Sequence, residues 1–455
     1  MSTKLLVIGG DAAGLSGASR ARRNNPEMKI TVLEKGEFAS YAACGMPYYL
    51  SGVVPDYNSL IARKPEVFKS QNIDIRLGNE ALELDPNTQS VKVIDTVDRG
   101  EYVEHYDKLI IATGARPVTP PIPGVDAKGI FTLRHLDDAR LIHSFTSAKH
   151  ANAGTGHATV VGAGYVGMEM VETLKTLGYR VTLVEMAPQV FPGLDPILAD
   201  IVEKECINNG ITVMLEEQVD HFDKNSDEYV NKIYTSNSSW DTDLVLLSTG
   251  VRPNVELAVQ GGLSLDTAGA IKTDKFMSTS HPNIWSAGDC TSAKHLVTKQ
   301  PTWIPLGTTA NKQGRIAGEN ASGGNVAFKG VLGTAVVKVF NLEVAKTGLS
   351  EKEAADAGYN TSTITITASD KAHYYPGNAD IHIQLIAENK GGRLLGGQFV
   401  GGQGSAKRID TIATAITCHM NIRELSELDL SYAPPIAPVW DPVLIAAEQL
   451  AKKIQ

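Results

Sequence analysis

Cysteine is the residue type in this chain best suited to redox chemistry, and there are four: Cys44, Cys206, Cys290 and Cys418. They lie far apart and form no CxxC pair, which argues against a disulfide framework and against a zinc ribbon; no metal site is expected. Cys44 stands out by its surroundings, Ser40-Tyr41-Ala42-Ala43-Cys44-Gly45-Met46-Pro47-Tyr48-Tyr49. A segment punctuated by Gly and Pro places the thiol at a turn opening a helix. A helix N-terminus favours the thiolate, the form that attacks sulfur. Cys206, Cys290 and Cys418 read as inert thiols. Two further residues with a chemical job are Glu34 and Glu185, each closing an apolar strand that follows a glycine-rich turn.

The elements that must position these residues are written twice. Residues 4–34 read KLLVIGGDAAGLSGASRARRNNPEMKITVLE, and residues 158–185 read ATVVGAGYVGMEMVETLKTLGYRVTLVE. Each is an apolar strand, a glycine-rich turn, a helix, a second apolar strand and a terminal glutamate. In such a βαβ unit the first glycine makes the turn, the second lets the backbone approach a pyrophosphate and the third lets the helix pack on the strand. The pyrophosphate then sits at the helix N-terminus and the acidic residue bonds a ribose. Gly162, Gly164 and Gly167 complete the pattern in the second unit. In the first, Gly9 and Gly14 fit but Asp11 replaces the middle glycine, with its side chain either turned away from the phosphates or capping the helix. Glu185 would accept a bond from a ribose 2′-hydroxyl and repel a 2′-phosphate, so NADH is the expected donor, with NADPH as the alternative.

The remaining punctuation extends this plan. Leu109-Ile110-Ile111-Ala112-Thr113-Gly114 and Leu244-Val245-Leu246-Leu247-Ser248-Thr249-Gly250 are buried strands ending in similar turns, and Ile284-Trp285-Ser286-Ala287-Gly288-Asp289 is a strand ending in Gly-Asp. Residues 151–157 (ANAGTGH) read as a linker. A Pro-containing loop from Thr302 becomes a helix by Gly318. Beyond about residue 330, Ser362–Ala368 and Ile381–Ile386 alternate as antiparallel strands, and Ser350 with Glu353 forms a capping box on a short helix ending at Gly358. Three domains are expected: 1–115 with 250–325 around the first unit, 116–249 around the second, and a tail over 330–455. At 455 residues, 42% apolar, 20% charged and net charge −9, the chain has the composition of a globular protein and a poor one for nucleic acid. No apolar run reaches bilayer length and no signal peptide is evident, so a cytoplasmic protein without membrane partners is expected.

With these motifs in place, the chain resembles the pyridine nucleotide–disulfide oxidoreductase family over nearly its whole length, and within it the single-cysteine branch: coenzyme A disulfide reductases, CoA-dependent sulfur or persulfide reductases, and NADH oxidases and peroxidases. The resemblance rests on both dinucleotide motifs, the Ala112-Thr113-Gly114 and Ala287-Gly288-Asp289 turns and the Cys44 segment. It implies an α/β fold with two Rossmann-like dinucleotide-binding domains, as in glutathione reductase, and a C-terminal α+β dimerisation domain that completes the partner's active site. It also implies that Gly9, Gly10, Ala12, Ala13, Gly14, Glu34, Lys35, Ala81, Thr113, Gly114 and Asp289 hold FAD, with Leu306, Gly307 and Thr308 facing the flavin ring. Gly162, Gly164, Tyr165, Val166, Gly167, Glu185 and Gly250 would hold NAD(P)H, Tyr165 as a gate over the nicotinamide and Glu169 as the acidic residue beside that contact.

The resemblance further implies that Cys44 is the redox centre. Dithiol members carry a second cysteine five residues on, where this chain has Tyr49, so Cys44 must work as a mixed disulfide, a persulfide or a sulfenic acid. Peroxidases of the branch carry a His at the position of Ala12; its absence weakens a peroxide or oxygen reaction. Tyr374 and Tyr432, with Tyr375 as the alternative to Tyr374, resemble the tail tyrosines that reach the cysteine of the partner subunit and assist a departing thiolate. Arg20, Arg22, Arg23 and Arg63-Lys64 suit the phosphates of coenzyme A, and Ser40 is a polar contact beside Cys44. Ala43 replaces the Asn common in relatives, and Ala437-Pro438-Val439-Trp440-Asp441-Pro442 looks closer to the sulfur-reducing members. The expected enzyme is a homodimer carrying electrons from NADH through FAD to a small disulfide or sulfur substrate at Cys44, with coenzyme A disulfide, persulfide and polysulfide all open. An NADH oxidase or peroxidase, and a flavoprotein reductase of a small electron carrier, are the alternatives.

Overall fold

A computed structural model describes residues 2–147 and 155–454; residues 151–154 of the expected linker lie outside the described residues. The two repeated units become two parallel sheets of five strands each. In the first, the order is Ile284–Ser286, Lys108–Ile111, Lys4–Ile8, Lys29–Glu34 and Ile73–Leu77. In the second, it is Ile130–Phe131, Leu244–Leu247, His157–Val161, Arg180–Val184 and Thr212–Met214. The two orders correspond strand for strand, with the glycine-turn strand in the centre of each. The central strands are buried on both faces, which is why they read as continuous apolar runs rather than alternating ones.

The first sheet needs chain from both ends of the sequence. Helix Gly307–Ala321 packs on helix Ala12–Asn24 at backbone contact. A Cβ at Gly314 would lie 2.1 Å from the Ala13 carbonyl oxygen, and one at Gly318 would lie 2.1 Å from that of Gly17. Only glycine permits this approach. The ribbon of Ala115–Pro117 against Val251–Pro253 is the antiparallel crossing between the two sheets.

The C-terminal part is a five-stranded antiparallel sheet, with Thr361–Ser369 paired to Asp380–Glu388. Helices Ile409–Thr417 and Pro442–Lys453 bury Ile412, Ile416, Val443 and Leu450 against it. The capping box forms as expected: Ser350 Oγ accepts from the Glu353 amide, and the Glu353 side chain accepts from the Ser350 amide. This domain grips the second sheet unit. The Glu172 carboxylate accepts from the Phe340 amide at 2.8 Å and pairs with Lys338. Gln398 exchanges two bonds with Asp195, at 2.8 and 3.1 Å. Among the described residues no helix is long and apolar enough to cross a membrane.

Candidate functional site

The two glycine-rich turns are the same device built twice. The Gly9 amide donates to the Leu33 carbonyl and the Gly162 amide to that of Val184, both at 2.8 Å. Glu34 accepts from the amides of Gly10 at 2.6 Å and Gly36 at 2.8 Å; Glu185 accepts from Ala163 and Ala187, both at 2.8 Å. A Cβ at Gly14 would meet Gly9 O at 1.9 Å, and one at Gly167 would meet Gly162 O at 2.0 Å. The third glycine of each motif is therefore a packing requirement, as the motif implies. Neither Asp11 nor Gly164 supplies a side-chain cap, so the first amides of helices Ala12–Asn24 and Tyr165–Thr176 have no partner from their own cap residue. Nothing stands within 4 Å of a Cβ at Gly164. Cradles of this kind fit dinucleotide pyrophosphates.

Of the two orientations considered for Asp11, the helix cap does not form, and the side chain turns toward the Cys44 segment. Its carboxylate accepts a 3.3 Å bond from the Tyr41 amide, while the Ser40 amide donates to Gly10 O at 2.9 Å. The first glycine-rich turn is thus stitched to the segment that carries Cys44. Ser40 contributes backbone here, in a left-handed conformation (φ 55°). Burial and the nearby Glu34 carboxylate push the Asp11 carboxyl up to about 6, although the Tyr41 amide pulls it down.

Cys44 lies in the 3₁₀ turn Ala43–Gly45, immediately before helix Met46–Leu50. The residue is exposed, but it sits in a cleft whose walls desolvate the thiol. The expectation of a thiolate favoured by the helix N-terminus is corrected on this point. Desolvation first, then the Glu169 carboxylate, hold the thiol above its ordinary range, and only Arg134 opposes them appreciably. A turn of 3₁₀ followed by a five-residue helix has a weak dipole. Helix Met46–Leu50 is built into the second unit: Met46, Tyr49 and Leu50 share an apolar cluster with Met168, Val171 and Leu174, and Thr173 Oγ1 donates to Pro47 O at 3.1 Å. Tyr49, at the position of a second cysteine, stacks on His143 at 5.0 Å.

Around this centre, Asp289 is held by Arg134 at 2.7 Å. Thr113 and Gly114 are fixed by Asn254, through bonds of 2.7, 2.8 and 2.9 Å. Leu306 precedes helix Gly307–Ala321, whose first residues Gly307 and Thr308 are exposed. Lys35 is exposed beside Glu34; Gly250 accepts from the Val118 amide at 2.9 Å; Ala81 pairs with Val93 in a separate three-stranded sheet. Tyr165 meets Phe191 edge-on at 5.4 Å, and Glu169 lies one turn along the same helix, with the Tyr48 hydroxyl near it. Burial, with Glu172 nearby, lifts the Glu169 carboxyl to about 7.

Tyr374 and Tyr432, chosen from sequence alone, lie beside each other. They lie exposed with Ile436, Val439 and Trp440. The arginines separate. Arg63 lies over the Phe68 ring at 4.3 Å, reaches Ser19 at 3.4 Å, and is depressed by burial and by neighbouring Arg23. Arg20 is instead engaged by Glu319, and Arg22 bonds two backbone carbonyls. Sequence reasoning missed Arg134, Tyr48 and the Asp11–Tyr41 tie. Arg134 belongs to no motif and reaches Asp289 across 155 positions; Asp11, Tyr41 and Tyr48 lie within motifs, but nothing local marks their partners.

Two nucleotide cradles, an accessible thiol between them and a third, antiparallel domain define a flavin-type disulfide oxidoreductase architecture. The sequence matches the pyridine nucleotide-disulphide oxidoreductase family over residues 3–314 and that family's dimerisation domain over residues 334–442, and the chain belongs to this family. Membership implies FAD and NAD(P)H as cofactors. The chain is 39% identical over 449 residues to the NAD(P)H sulfur oxidoreductase (CoA-dependent) of Pyrococcus furiosus, covering 98% of this chain and 99% of that one. It is 38% identical over 456 residues to an NADH oxidase of Methanocaldococcus jannaschii, covering 99% of each. Among solved structures, an NAD-dependent persulfide reductase from A. fulgidus superposes with a TM-score of 0.95 at 40% identity, over 99% of this chain and 83% of that one.

Proposed function

We propose that this protein is an NADH-dependent reductase of coenzyme A disulfide or of a CoA-linked persulfide or polysulfide, acting through Cys44. One observation carries the reading: the accessible Cys44 thiol is held by both nucleotide units at once. Its segment is bonded to the first glycine-rich turn at Ser40 and Tyr41, and its helix is bonded to the second unit at Thr173. Residues 1–115 with 250–325 would hold FAD on Gly9, Gly10, Gly14, Glu34, Thr113, Gly114 and Asp289; residues 116–249 would hold the nicotinamide nucleotide on Gly162, Gly164, Gly167 and Glu185. A flavin bound there supplies the two-electron relay between nicotinamide and sulfur. Cys44 attacks one sulfur of the substrate, displaces a thiolate and becomes a mixed disulfide; two electrons from NADH then cleave that bond.

A second copy of the chain would bring Tyr374 and Tyr432 to the cysteine. The exposed strip around them supports a homodimer, since solvent-facing aromatics clustered in this way mark interfaces. Their hydroxyls would bond the departing thiolate. Arg23 and Arg63 support coenzyme A, because two neighbouring cations of which one is partly desolvated favour a phosphate between them. The second reading is an NADH oxidase, favoured by the similarity to the M. jannaschii protein. Anaerobic turnover with coenzyme A disulfide, polysulfide and glutathione disulfide, beside an aerobic arm without sulfur acceptor, tests the proposal. Turnover with the CoA-linked acceptors and little with oxygen is expected; oxygen as the only productive acceptor overturns it.

A further inference from the structure

Tyr374 and Tyr432 stand on separate loops of the third domain. Tyr374 lies in the connection between strands Thr361–Ser369 and Asp380–Glu388, and Tyr432 in the stretch before helix Pro442–Lys453. Both rings face solvent, 64% and 48% exposed, so the bases of the loops must fix where they stand. Each base is closed by a buried acid. The Asp370 amide donates to the Ala379 carbonyl at 2.9 Å, and its carboxylate accepts from the Ala379 amide at 3.0 Å. Asp441 caps helix Pro442–Lys453 by accepting from the Val443 amide at 2.9 Å. One side chain joins the two bases. Arg408 Nη2 donates to the Asp370 carbonyl at 2.7 Å and to that of Ile436 at 3.4 Å, while Nε donates to the Asp441 carboxylate at 2.9 Å. The loops also meet directly, the Ala372 amide donating to the Pro434 carbonyl at 3.2 Å. Arg408 is itself held in place. Its turn is fixed by Glu343, whose carboxylate accepts from the amides of Gly404 and Ala406 at 3.0 and 2.9 Å, and it leads into helix Ile409–Thr417, anchored in the domain core by Ile409 and Ile412.

We propose that Arg408 is the positioning residue of the tyrosine pair: its guanidinium sets the spacing of the two loops, so that Tyr374 and Tyr432 reach the cysteine of a second copy together. The inference rests on the reading of these tyrosines as one chain's contribution to the other chain's Cys44 site. Arg408 touches neither thiol nor substrate, and acts only through the loop bases. The chemistry of the contact suits that task. The Arg408–Asp441 pair is nearly out of water, its side chains 12% and 9% exposed. Desolvation offsets most of the attraction in such a pair, so its contribution is a fixed geometry more than net stability. A guanidinium presents its N–H groups in a rigid planar fork that holds a carboxylate and two carbonyls at set angles; an ammonium on a flexible stem does not. Two hydroxyls that bond one departing thiolate must arrive in register, and a misplacement of about 1 Å costs on the order of a hundredfold in rate.

Two substitutions test the clamp in the FAD-loaded, full-length chain. Arg408→Lys keeps the charge and removes the fork; Asp441→Asn keeps an acceptor for the helix cap and removes the charged end of the clamp. Both should remain dimers in sedimentation. Hydrogen exchange read by peptide mass should speed up in 370–379 and 431–441 together, with strand Asp380–Glu388 unchanged. NADH should bleach the flavin at the wild-type rate, while turnover of the productive acceptor falls about tenfold, within the range set by misplaced groups. Arg408→Lys added to Tyr432→Phe should slow turnover no further than the worse single change, because residues acting as one unit are not additive. Hybrid dimers of one Arg408→Lys chain and one Cys44→Ser chain place an intact Cys44 opposite an intact tail, so they should match the wild-type rate per Cys44. A defect confined to the Arg408→Lys chain leaves such hybrids slow. Exchange that rises in one loop or neither, unchanged turnover, additive losses with Tyr432→Phe, slow hybrids, or both variants falling into monomers overturns the inference. Wild-type turnover in both Tyr374→Phe and Tyr432→Phe refutes the role of the tyrosines and the clamp with it; losses there with none in Arg408→Lys refute the clamp alone. Oxygen as the only productive acceptor, slowed in Arg408→Lys with both loops loosened, refutes the proposed substrates and supports the clamp.

Discussion

The carboxylate of Asp11 receives the backbone amide of Tyr41 at 3.3 Å, so a residue in the first glycine-rich turn anchors the segment that leads to Cys44. The bond places an acid in a largely desolvated position, with its carboxyl at about 6 against an ordinary 3.8. Between those two pH values the folded protein binds more protons than the unfolded chain, so stability falls as pH rises through that window and stays lower above it. Asp11→Asn keeps an acceptor for the Tyr41 amide and removes the charge. In flavin-free protein it should raise the thermal midpoint at neutral pH, by an amount equivalent to at most about 3 kcal/mol, and flatten the decline between about pH 4 and pH 6. A variant less stable than wild type at neutral pH, with the decline intact, would falsify this account.

Cys44→Ser should retain flavin and should still be reduced by NADH, because the cradles at Gly9–Gly14 and Gly162–Gly167 are untouched. Turnover of disulfide and persulfide acceptors should drop by orders of magnitude, since a serine hydroxyl is un-ionised at neutral pH and cannot take up a sulfur. Stopped-flow flavin bleaching and steady-state assays separate the two effects. Wild-type turnover in the variant with any sulfur acceptor would move the chemistry away from Cys44.

Glu185, fixed by the amides of Ala163 and Ala187, presents a positioned negative charge at the strand end where a ribose is expected. kcat/KM for NADH should exceed that for NADPH by roughly tenfold or more, the discrimination an acidic residue at this position gives. Glu185→Ala should shrink the ratio mainly by weakening NADH. Equal values for the two nucleotides in the wild type would remove this role from Glu185.

Gly14 and Gly167 are equivalent residues in the duplicated turns, and a methyl group at either runs into a carbonyl oxygen at 1.9 or 2.0 Å. Gly14→Ala should therefore reduce flavin content, while Gly167→Ala should keep flavin and raise the Kd for NADH. The absorbance ratio of purified protein and an anaerobic NADH titration read the two losses. Flavin loss from Gly167→Ala alone would contradict the assignment of the two cradles.

Tyr432→Phe removes the hydroxyl that lies beside Tyr374. The effect should be milder than that of Cys44→Ser, slowing release of the thiol product more than flavin reduction, and mixing with Cys44→Ser subunits should show which subunit supplies the tyrosine. Complementation restricted to dimers holding both wild-type residues on one chain would rule out a shared site.

Much of this was legible because it is written in local periodicity. Two glycine motifs, each between apolar runs, can form little else, and the paired β-strands Thr361–Ser369 and Asp380–Glu388 announce themselves by alternation. Tyr374 and Tyr432 were visible only through resemblance, and the structure brings the two hydroxyls together. Long-range polar contacts stayed hidden. Nothing near Arg134 in sequence marks it as the partner of Asp289, and nothing near Asp11 marks Tyr41; such pairs are fixed by how sheets dock, not by spacing. The pKa of Cys44 was misjudged because burial, and after it the Glu169 carboxylate from a helix more than a hundred residues away, raise it.

The interleaving of the first sheet imposes an order on biosynthesis. Every strand of the second sheet lies between Ile130 and Leu247, so that unit is complete as soon as this stretch has left the ribosome. The first unit has emerged long before, yet it lacks its edge strand Ile284–Ser286 and the helix that closes over Gly17 until Ala321 has been synthesised. A nascent chain therefore acquires its second cradle, the one proposed for the nicotinamide, before the first, proposed for the flavin, can close, and the half of the protein translated first is the half that must wait.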